Sequence, residues 1–261
     1  MSDVIAIIAT ERTGTNYFCD LIIKALDING MYEIFHPDVS YGLSDVLISR
    51  ALSREFKSVC SLNRKEKADL VRANPELVLD GLASHSAKTS VFKIFPGHLH
   101  DKVVREAILE NHNVRKVVID RSPLDVFISQ HKAGSIAKWG GVDTTGLKVD
   151  LDRKKFDAWF KSRSAWYEQA KNITINSGQA ITYLNYRDIE SRSPEALVEF
   201  FINQMAEVGC KLLKSDHPVS DLMKRQDKSA GPAEKVSNWC VFEATFPSGK
   251  VDDSLLRGFL S

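Results

Sequence analysis

The sequence predicts an α/β fold, a central parallel sheet flanked by helices, in one domain covering residues 1–261. Three observations carry that prediction. The chain opens on a short apolar run, Val4, Ile5, Ile7 and Ile8, that reads as a buried parallel strand, and a helical pattern begins at Gly14. Further runs rich in β-branched and aromatic residues, at 89–95, 114–120 and 180–184, alternate with helical stretches, as parallel crossovers require. Two helix starts are marked by a capping serine followed by proline, Ser122-Pro123 and Ser193-Pro194.

The first helix is expected from about 14 to 27, with Phe18, Leu21, Ile22, Ala25 and Leu26 spaced to bury one face. Asn29-Gly30 ends it. Residues 31–38 then mix aromatic side chains with Glu33, His36 and Asp38 around Pro37, a composition that suits a pocket wall. The stretches 44–56 and 65–72 read as two helices with polar faces, with Asn74-Pro75 as a stop. Residues 89–95 form a strand with Lys93 in its middle, and Pro96-Gly97 turns it into a helical stretch that runs to Leu109.

Residues 114–120 run straight into Arg121-Ser122-Pro123, which places Arg121 at the C-terminal end of a strand. Open α/β sheets bind ligands at that edge. The loop 134–150 contains three glycines in its first half and Trp139, shows no periodicity, and suits a mobile cover. A long amphipathic helix over 152–175 carries Phe156, Trp159, Phe160, Trp166, Tyr167 and Ala170, a stripe that reads as core. The strand at 180–184 leads to a turn at Tyr186-Arg187-Asp188, and the helix begun by Ser193-Pro194 ends at Gly209. From 216 onward the chain is polar and irregular, with Lys224, Arg225, Lys228 and Lys235 spread through it.

A chain of 261 residues with 43% hydrophobic and 26% charged residues can bury a full core. Its 35 basic and 34 acidic residues leave a net charge of +1, so no global field recruits nucleic acid, and any anion site must be local. Cys19, Cys60, Cys210 and Cys240 form no C-x-x-C pair, which argues against a zinc site or a disulfide framework and for reduced, mostly buried thiols. The N-terminal apolar run is short and lacks a basic flank, so it reads as neither a signal peptide nor a membrane span; a cytoplasmic, soluble protein is expected.

Strand, polar turn and helix together make an anion cradle over the first residues. Free N–H groups at the helix N-terminus, the positive end of its dipole, and the side chains of Arg12, Thr13, Thr15 and Asn16 around Gly14 suit a phosphate. The nucleoside-triphosphatase loop G-x-x-x-x-G-K-[ST] and the dinucleotide motif G-x-G-x-x-G are both missing.

Two of these turns together resemble the sulfotransferases that use 3′-phosphoadenosine 5′-phosphosulfate (PAPS), and within them the bacterial carbohydrate type, such as the nodulation-factor and trehalose sulfotransferases. Arg12-Thr13-Gly14-Thr15-Asn16 is similar to the loop that holds the donor's 5′-phosphosulfate end, with Asn16 where the family usually has a hydroxyl residue. Arg121 and Ser129, in RSPLDVFIS, resemble the 3′-phosphate motif. YLNYRDI, with Tyr186, is similar to the late-strand motif after which the adenine is held. Arg225-Gln226, Lys228 and the stretch 235–239 resemble the basic segment that closes over the product PAP, and GMYEIF, with Glu33, the stretch that supplies an acidic base in trehalose-type enzymes.

The resemblance implies a P-loop-NTPase-like sulfotransferase fold, PAPS as donor, PAP as product, no metal, and a carbohydrate or glycolipid acceptor. It places the acceptor-side elements at about 31–88 and 134–176 and the closing segment at about 216–261. Arg12 would neutralise the 5′-phosphate, and Arg121 with Ser129 would recognise the 3′-phosphate. Sulfuryl transfer needs a base, cations for the charge growing on the leaving phosphate, and in-line positioning. Glu33 is the first candidate for the base, with His36 and His98 as rivals, and Lys93 is the candidate for the sulfonate oxygens. Tyr32, Phe35, Trp139 and Trp166 either stack on a sugar or belong to the core. A small-molecule kinase of related fold and a non-catalytic nucleotide-binding protein are the alternatives, the first opposed by the missing Gly-Lys pair.

Overall fold

The computed structural model describes residues 2–85, 87–139, 142–216, 219, 221–222, 227, 229 and 231–260. Its centre is a sheet of parallel strands, β1 (Val4–Ile8), β2 (Asn29–Tyr32), β3 (Ser90–Ile94), β4 (Val114–Asp120) and β5 (Ile181–Asn185), in the spatial order β2-β3-β1-β4-β5. All five residues of β1 are buried, and their alternating side chains feed two different cores. Val4, Ala6 and Ile8 join one apolar cluster, and Ile5 and Ile7 join the other. A strand apolar at every position is what a sheet covered on both faces demands.

Helices cover both faces. In chain order they are α1 (Thr15–Ala25), α2 (Asp45–Ala51), α3 (Phe56–Cys60), α4 (Arg64–Ala73), α5 (Pro75–His85), α6 (Asp101–Val104), α7 (Pro123–Ser135), α8 (Arg153–Asn176), α9 (Tyr186–Ser191), α10 (Pro194–Glu207), α11 (Pro232–Lys235) and α12 (Trp239–Ala244). On the Ile5/Ile7 face, α1 contributes Phe18, Leu21 and Ile22, and α10 contributes Leu197, Phe201 and Met205. The Phe18 and Phe201 rings meet edge to face at 5.1 Å. On the other face lie Val78, Leu79 and Leu82 of α5 with Trp166, Tyr167 and Ala170 of α8. A third cluster joins Leu124, Phe127 and Ile128 of α7 to Phe156 of α8 and to Val236, Phe242 and Phe246.

This strand order creates the site. The chain leaves β1 toward β2 on one side and leaves β4 toward β5 on the other, although β1 and β4 are neighbours. The loops after these two strands therefore diverge and open a crevice at their C-terminal ends. The expected caps are in place: the Ser122 hydroxyl accepts from Asp125 N–H at 3.2 Å, and the Ser193 hydroxyl from Ala196 N–H at 3.3 Å.

Several elements differ from the sequence reading. Asn29-Gly30 begins β2, an edge strand paired to β3, and α1 has already ended at Ala25. The polar region before β3 holds four helices where two were expected. Asn74 ends α4, and Pro75 opens α5 at the first helical position, where its missing N–H costs nothing. The helical stretch after β3 is a short α6 that continues as a π-helical turn over Arg105–Leu109. Tyr186-Arg187-Asp188 opens α9, capped by Asn185, and the irregular C-terminal region contains α11, α12 and a 3-10 turn at Asp253–Leu256. Of the loop expected from 134, the first two residues still belong to α7.

The thiols are evenly divided and not, as expected, mostly buried: Cys19 and Cys210 are enclosed, Cys60 and Cys240 are exposed, and all four are free of disulfides. Among the described residues no helix is long and apolar enough to cross a membrane.

Candidate active site

The loop between β1 and α1 is held from below by α8. Trp166 donates its indole N–H to the Ala9 carbonyl at 3.1 Å. The Tyr167 hydroxyl accepts from Thr10 N–H at 3.1 Å and donates to the Ile119 carbonyl at 3.0 Å, tying the ends of β1 and β4 together. Burial raises the Tyr167 pKa far above that of a free tyrosine, which keeps this hydroxyl protonated and able to donate. The sequence reading placed the pair in the core without seeing this task. The available signal was that a buried Trp or Tyr carries one polar atom that must find a partner.

Within the loop, Arg12 and Gly14 both adopt left-handed backbone, at φ 70° and 85°. Gly14 is doubly required. A Cβ there would lie 2.4 Å from Cε2 of Tyr186, and the positive φ strains any other residue. The Thr13 hydroxyl donates to the Thr10 carbonyl at 2.8 Å, so it shapes the loop instead of facing a ligand. Gly14 caps α1 with no side-chain hydrogen bond, so among the described residues no capping side chain satisfies the first N–H groups of that helix.

Cations converge on this loop. Arg121 donates from Nη1 to the Arg12 carbonyl at 2.9 Å, and its guanidinium lies 4.0 Å from the centroid of the Tyr186 ring that covers Gly14. Its Nε is shut away from solvent and bonded to nothing among the described residues. Arg12 donates from Nε to the Ser129 hydroxyl at 3.0 Å and from Nη1 to the Trp139 carbonyl. Burial and the adjacent Arg121 lower the Arg12 pKa, the mark of two like charges enclosed together. The structure thus gathers Arg12, Arg121, Ser129, Gly14 and Tyr186 at one place. It also puts the Arg12 guanidinium on Ser129, so the two anion positions inferred separately from the sequence share one cation.

The second half of the site grows from the opposite side of β1. Gly30 of β2 pairs with Val91 of β3, but Tyr32 pairs with Phe92, so one residue, Met31, bulges between them. Without that bulge Tyr32 would stand beside Lys93. With it the next residue, Glu33, comes level with Lys93, an example of a bulge re-aiming a side chain. Tyr32 carries the local strain, at φ 47°, and Gly42 is pressed onto the bulge so closely that a Cβ would lie 2.4 Å from the Met31 carbonyl oxygen.

Lys93 is only 2% exposed and does not snorkel to solvent. Its Nζ donates to Asn16 Oδ1 at 2.5 Å and pairs with Glu33 Oε1 at 2.8 Å. Asn16, at the start of α1, thus uses its amide oxygen to link the β1–α1 loop to the buried lysine. Glu33 Oε2 lies 3.8 Å from Nε2 of His98, and the His36 ring meets the His98 ring at 5.7 Å. All four candidates for chemistry, Glu33, Lys93, His98 and His36, therefore form one cluster beside the loop. The sequence reading missed Arg72, which donates to the His98 carbonyl at 2.7 Å.

Other expectations fall differently. Phe35 and Trp166 are buried in the core and offer no stacking face, whereas Tyr32 and Trp139 are exposed. Arg225 and Lys228 lie outside the described residues. Lys235 is taken up by Asp125 of α7 at 2.9 Å, and Asn238 exchanges two hydrogen bonds with the Leu151 backbone, so 235–239 is docked on α7 and the loop before α8. The segment after it also reaches the sheet edge: Asp120 accepts from Phe259 N–H and Leu260 N–H at 2.9 and 3.0 Å, and Phe259 stacks on Tyr167 at 4.9 Å.

Fold and site together define an α/β protein with a cation-rich loop at its topological switch point and, beside it, a buried lysine paired with a half-buried carboxylate. No family model and no curated protein matches the sequence. Among solved structures the chain is similar to the sulfotransferase domain from the curacin biosynthetic pathway, at 9% identity and a TM-score of 0.40 over 98% of this chain and 89% of that one. A likeness this distant assigns no function, and the chemistry rests on the site itself.

Proposed function

We propose that the protein is a sulfotransferase that moves a sulfuryl group from PAPS to a hydroxyl of a carbohydrate or glycolipid acceptor and releases PAP, in the manner of the bacterial carbohydrate type. One observation carries the proposal. Lys93 bridges the anion loop, through Asn16, to the carboxylate of Glu33, so a base and a cation stand next to the cradle that would hold the donor's 5′ end.

The residues fit a donor with two phosphate groups. Arg121 has a buried Nε without a partner among the described residues, Arg12 and Arg121 are enclosed like charges, and Gly14 leaves the N-terminus of α1 open to an anion. Arg12 and the loop amides would hold the 5′-phosphate, Arg121 and Ser129 the 3′-phosphate, and Tyr186 would border the nucleoside. Arg225 and Lys228 belong to the segment that would close over the product.

In this reading the Glu33 carboxylate takes the proton of the acceptor hydroxyl as its oxygen attacks sulfur. The bond from sulfur to the 5′-phosphate oxygen breaks, and its electron pair leaves on that phosphate, where Arg12 and the loop amides meet the new charge. Lys93 supplies a positive charge between the two events. Such cations do the work that a metal does in phosphoryl transfer.

Calorimetry tests the donor. PAP binding in the presence of EDTA supports the proposal. ATP binding that depends on magnesium, without PAP binding, overturns it in favour of a kinase. Binding of PAP without sulfate transfer to any of a broad set of sugars and glycolipids would leave a nucleotide-binding protein in its place.

A further inference from the structure

The turn after β3 fixes a histidine in space. Phe95-Pro96-Gly97-His98 closes with a bond from His98 N–H to the Phe95 carbonyl at 3.1 Å, with proline second and Gly97 third at φ 85°. Those are the requirements of a type II turn. The same turn folds the ring back on the residue that starts it, so that Phe95 N–H donates to His98 Nδ1 at 3.4 Å. A neutral imidazole that accepts at Nδ1 carries its proton on Nε2.

That Nε2 faces Glu33 Oε2 at 3.8 Å, while Lys93 occupies Oε1 at 2.8 Å. The ring is 6% exposed, tilted against Phe95 at 5.1 Å and met edge-on by His36 at 5.7 Å, and Arg72 clamps its carbonyl. The groups that face it are Glu33, His36, Lys93 and Arg72. Burial holds the His98 pKa down at about 4; Glu33 pulls upward, and His36, Lys93 and Arg72 add to the fall.

We infer that His98 is a positioning residue and not the base: Lys93 pairs directly with one oxygen of Glu33, and the N–H edge of the neutral His98 ring, 3.8 Å from the other, favours by its dipole the same orientation of the carboxylate toward the acceptor hydroxyl. What Glu33 does rests on the sulfotransferase reading, whereas the orientation of the pair does not. In the transfer step the hydroxyl proton ends on Glu33. His98 keeps its own proton throughout.

The tautomer is measured first, without donor or acceptor, by long-range proton–nitrogen NMR on protein carrying isotope-labelled histidine. His98 is expected to remain neutral and protonated at Nε2 from about pH 5 to 8, and Glu33→Gln is expected to shift its Nε2 resonance. A proton on Nδ1, or titration near the ordinary histidine value of about 6.5, overturns the inference.

Kinetics then separate positioning from packing. His98→Ala should lower kcat about ten- to a hundredfold, the scale of a misplaced catalytic group, with donor KM unchanged and the acid limb of the pH–rate profile retained. His98→Gln, which restores an N–H donor near the Nε2 position, should recover part of the loss. Disappearance of the acid limb in His98→Ala, or equal activity of the two variants, overturns the inference. If the NMR signature is found and no sulfate is transferred at all, the enzymatic reading fails while the geometry of the pair stands.

Discussion

Replacing Lys93 by methionine removes the one cation among the described residues that touches both halves of the site, while keeping a side chain of similar length. Its Nζ has two partners, Asn16 Oδ1 at 2.5 Å and Glu33 Oε1 at 2.8 Å. Removing one member of a fully buried ion pair costs about 3–5 kcal/mol. Glu33 is 22% exposed, so its carboxylate can regain water, and a loss of about 2 kcal/mol is the more suitable figure. In a chain of this size that lowers Tm by roughly 4–8 °C. The kinetic effect is larger, because a preorganised charge beside the reacting group is commonly worth about 10² to 10³ in kcat. Tm follows from thermal denaturation and kcat from transfer of labelled sulfate, while calorimetry with PAP reports whether the donor still binds. A double-mutant cycle with Glu33→Gln should show coupling of about 0.5–3 kcal/mol. If Lys93→Met keeps wild-type Tm and kcat, the bridge contributes nothing and the reasoning fails.

Gly14→Ala should weaken PAP binding and lower Tm, since a left-handed non-glycine residue costs about 1–2 kcal/mol and the new methyl group meets the Tyr186 ring. Adding Tyr186→Ala should return some stability; no relief from the second change would show that the ring is not the obstacle. An aromatic disulfide reagent should label Cys60 and Cys240 in the native protein and reach Cys19 and Cys210 only after denaturation, because burial encloses those two and pushes their thiols up to about 12. Rapid native labelling at Cys19 would contradict the packing of α1 on the sheet. Lys116, enclosed at β4 with bonds to the Asn111 carbonyl and the Gln179 side chain, has its pKa lowered by burial to about 7. The unfolded chain holds that proton up to about 10.4, so native stability should rise with pH between about 7 and 10 and not below. Tm of the wild type compared with Lys116→Met over that range reads the effect, and parallel curves would refute it.

Much of this fold could be read directly. Val114–Asp120 is a strand because six of its seven residues are buried and run without a break into a capped helix, and β1 is apolar at every position. β2 was hidden because it is four residues long, contains a glycine, and gains its strand character from pairing with β3 and not from its own composition. α5 was hidden because Pro75 reads equally well as the end of one helix and the start of another. The site shows the same division. Arg12, Gly14, Arg121, Glu33 and Lys93 were visible as residue types at telling positions, but their adjacency was not. Glu33 meets Lys93 only through the register of an edge strand with a one-residue bulge, and no periodicity reports a bulge. Trp166 and Tyr167, which hold the loop from α8, are distant in sequence from everything they support.

The central claim is that Glu33 acts on an acceptor hydroxyl while the loop and its arginines hold the donor. Its most direct test compares wild type with Glu33→Gln in two assays, PAP binding and transfer of labelled sulfate from PAPS to the sugar and glycolipid set. Equal PAP affinity in both proteins, with transfer in the variant reduced by about 10² to 10⁴, is the predicted result. Full turnover by Glu33→Gln, or no PAP binding by the wild type, would contradict it.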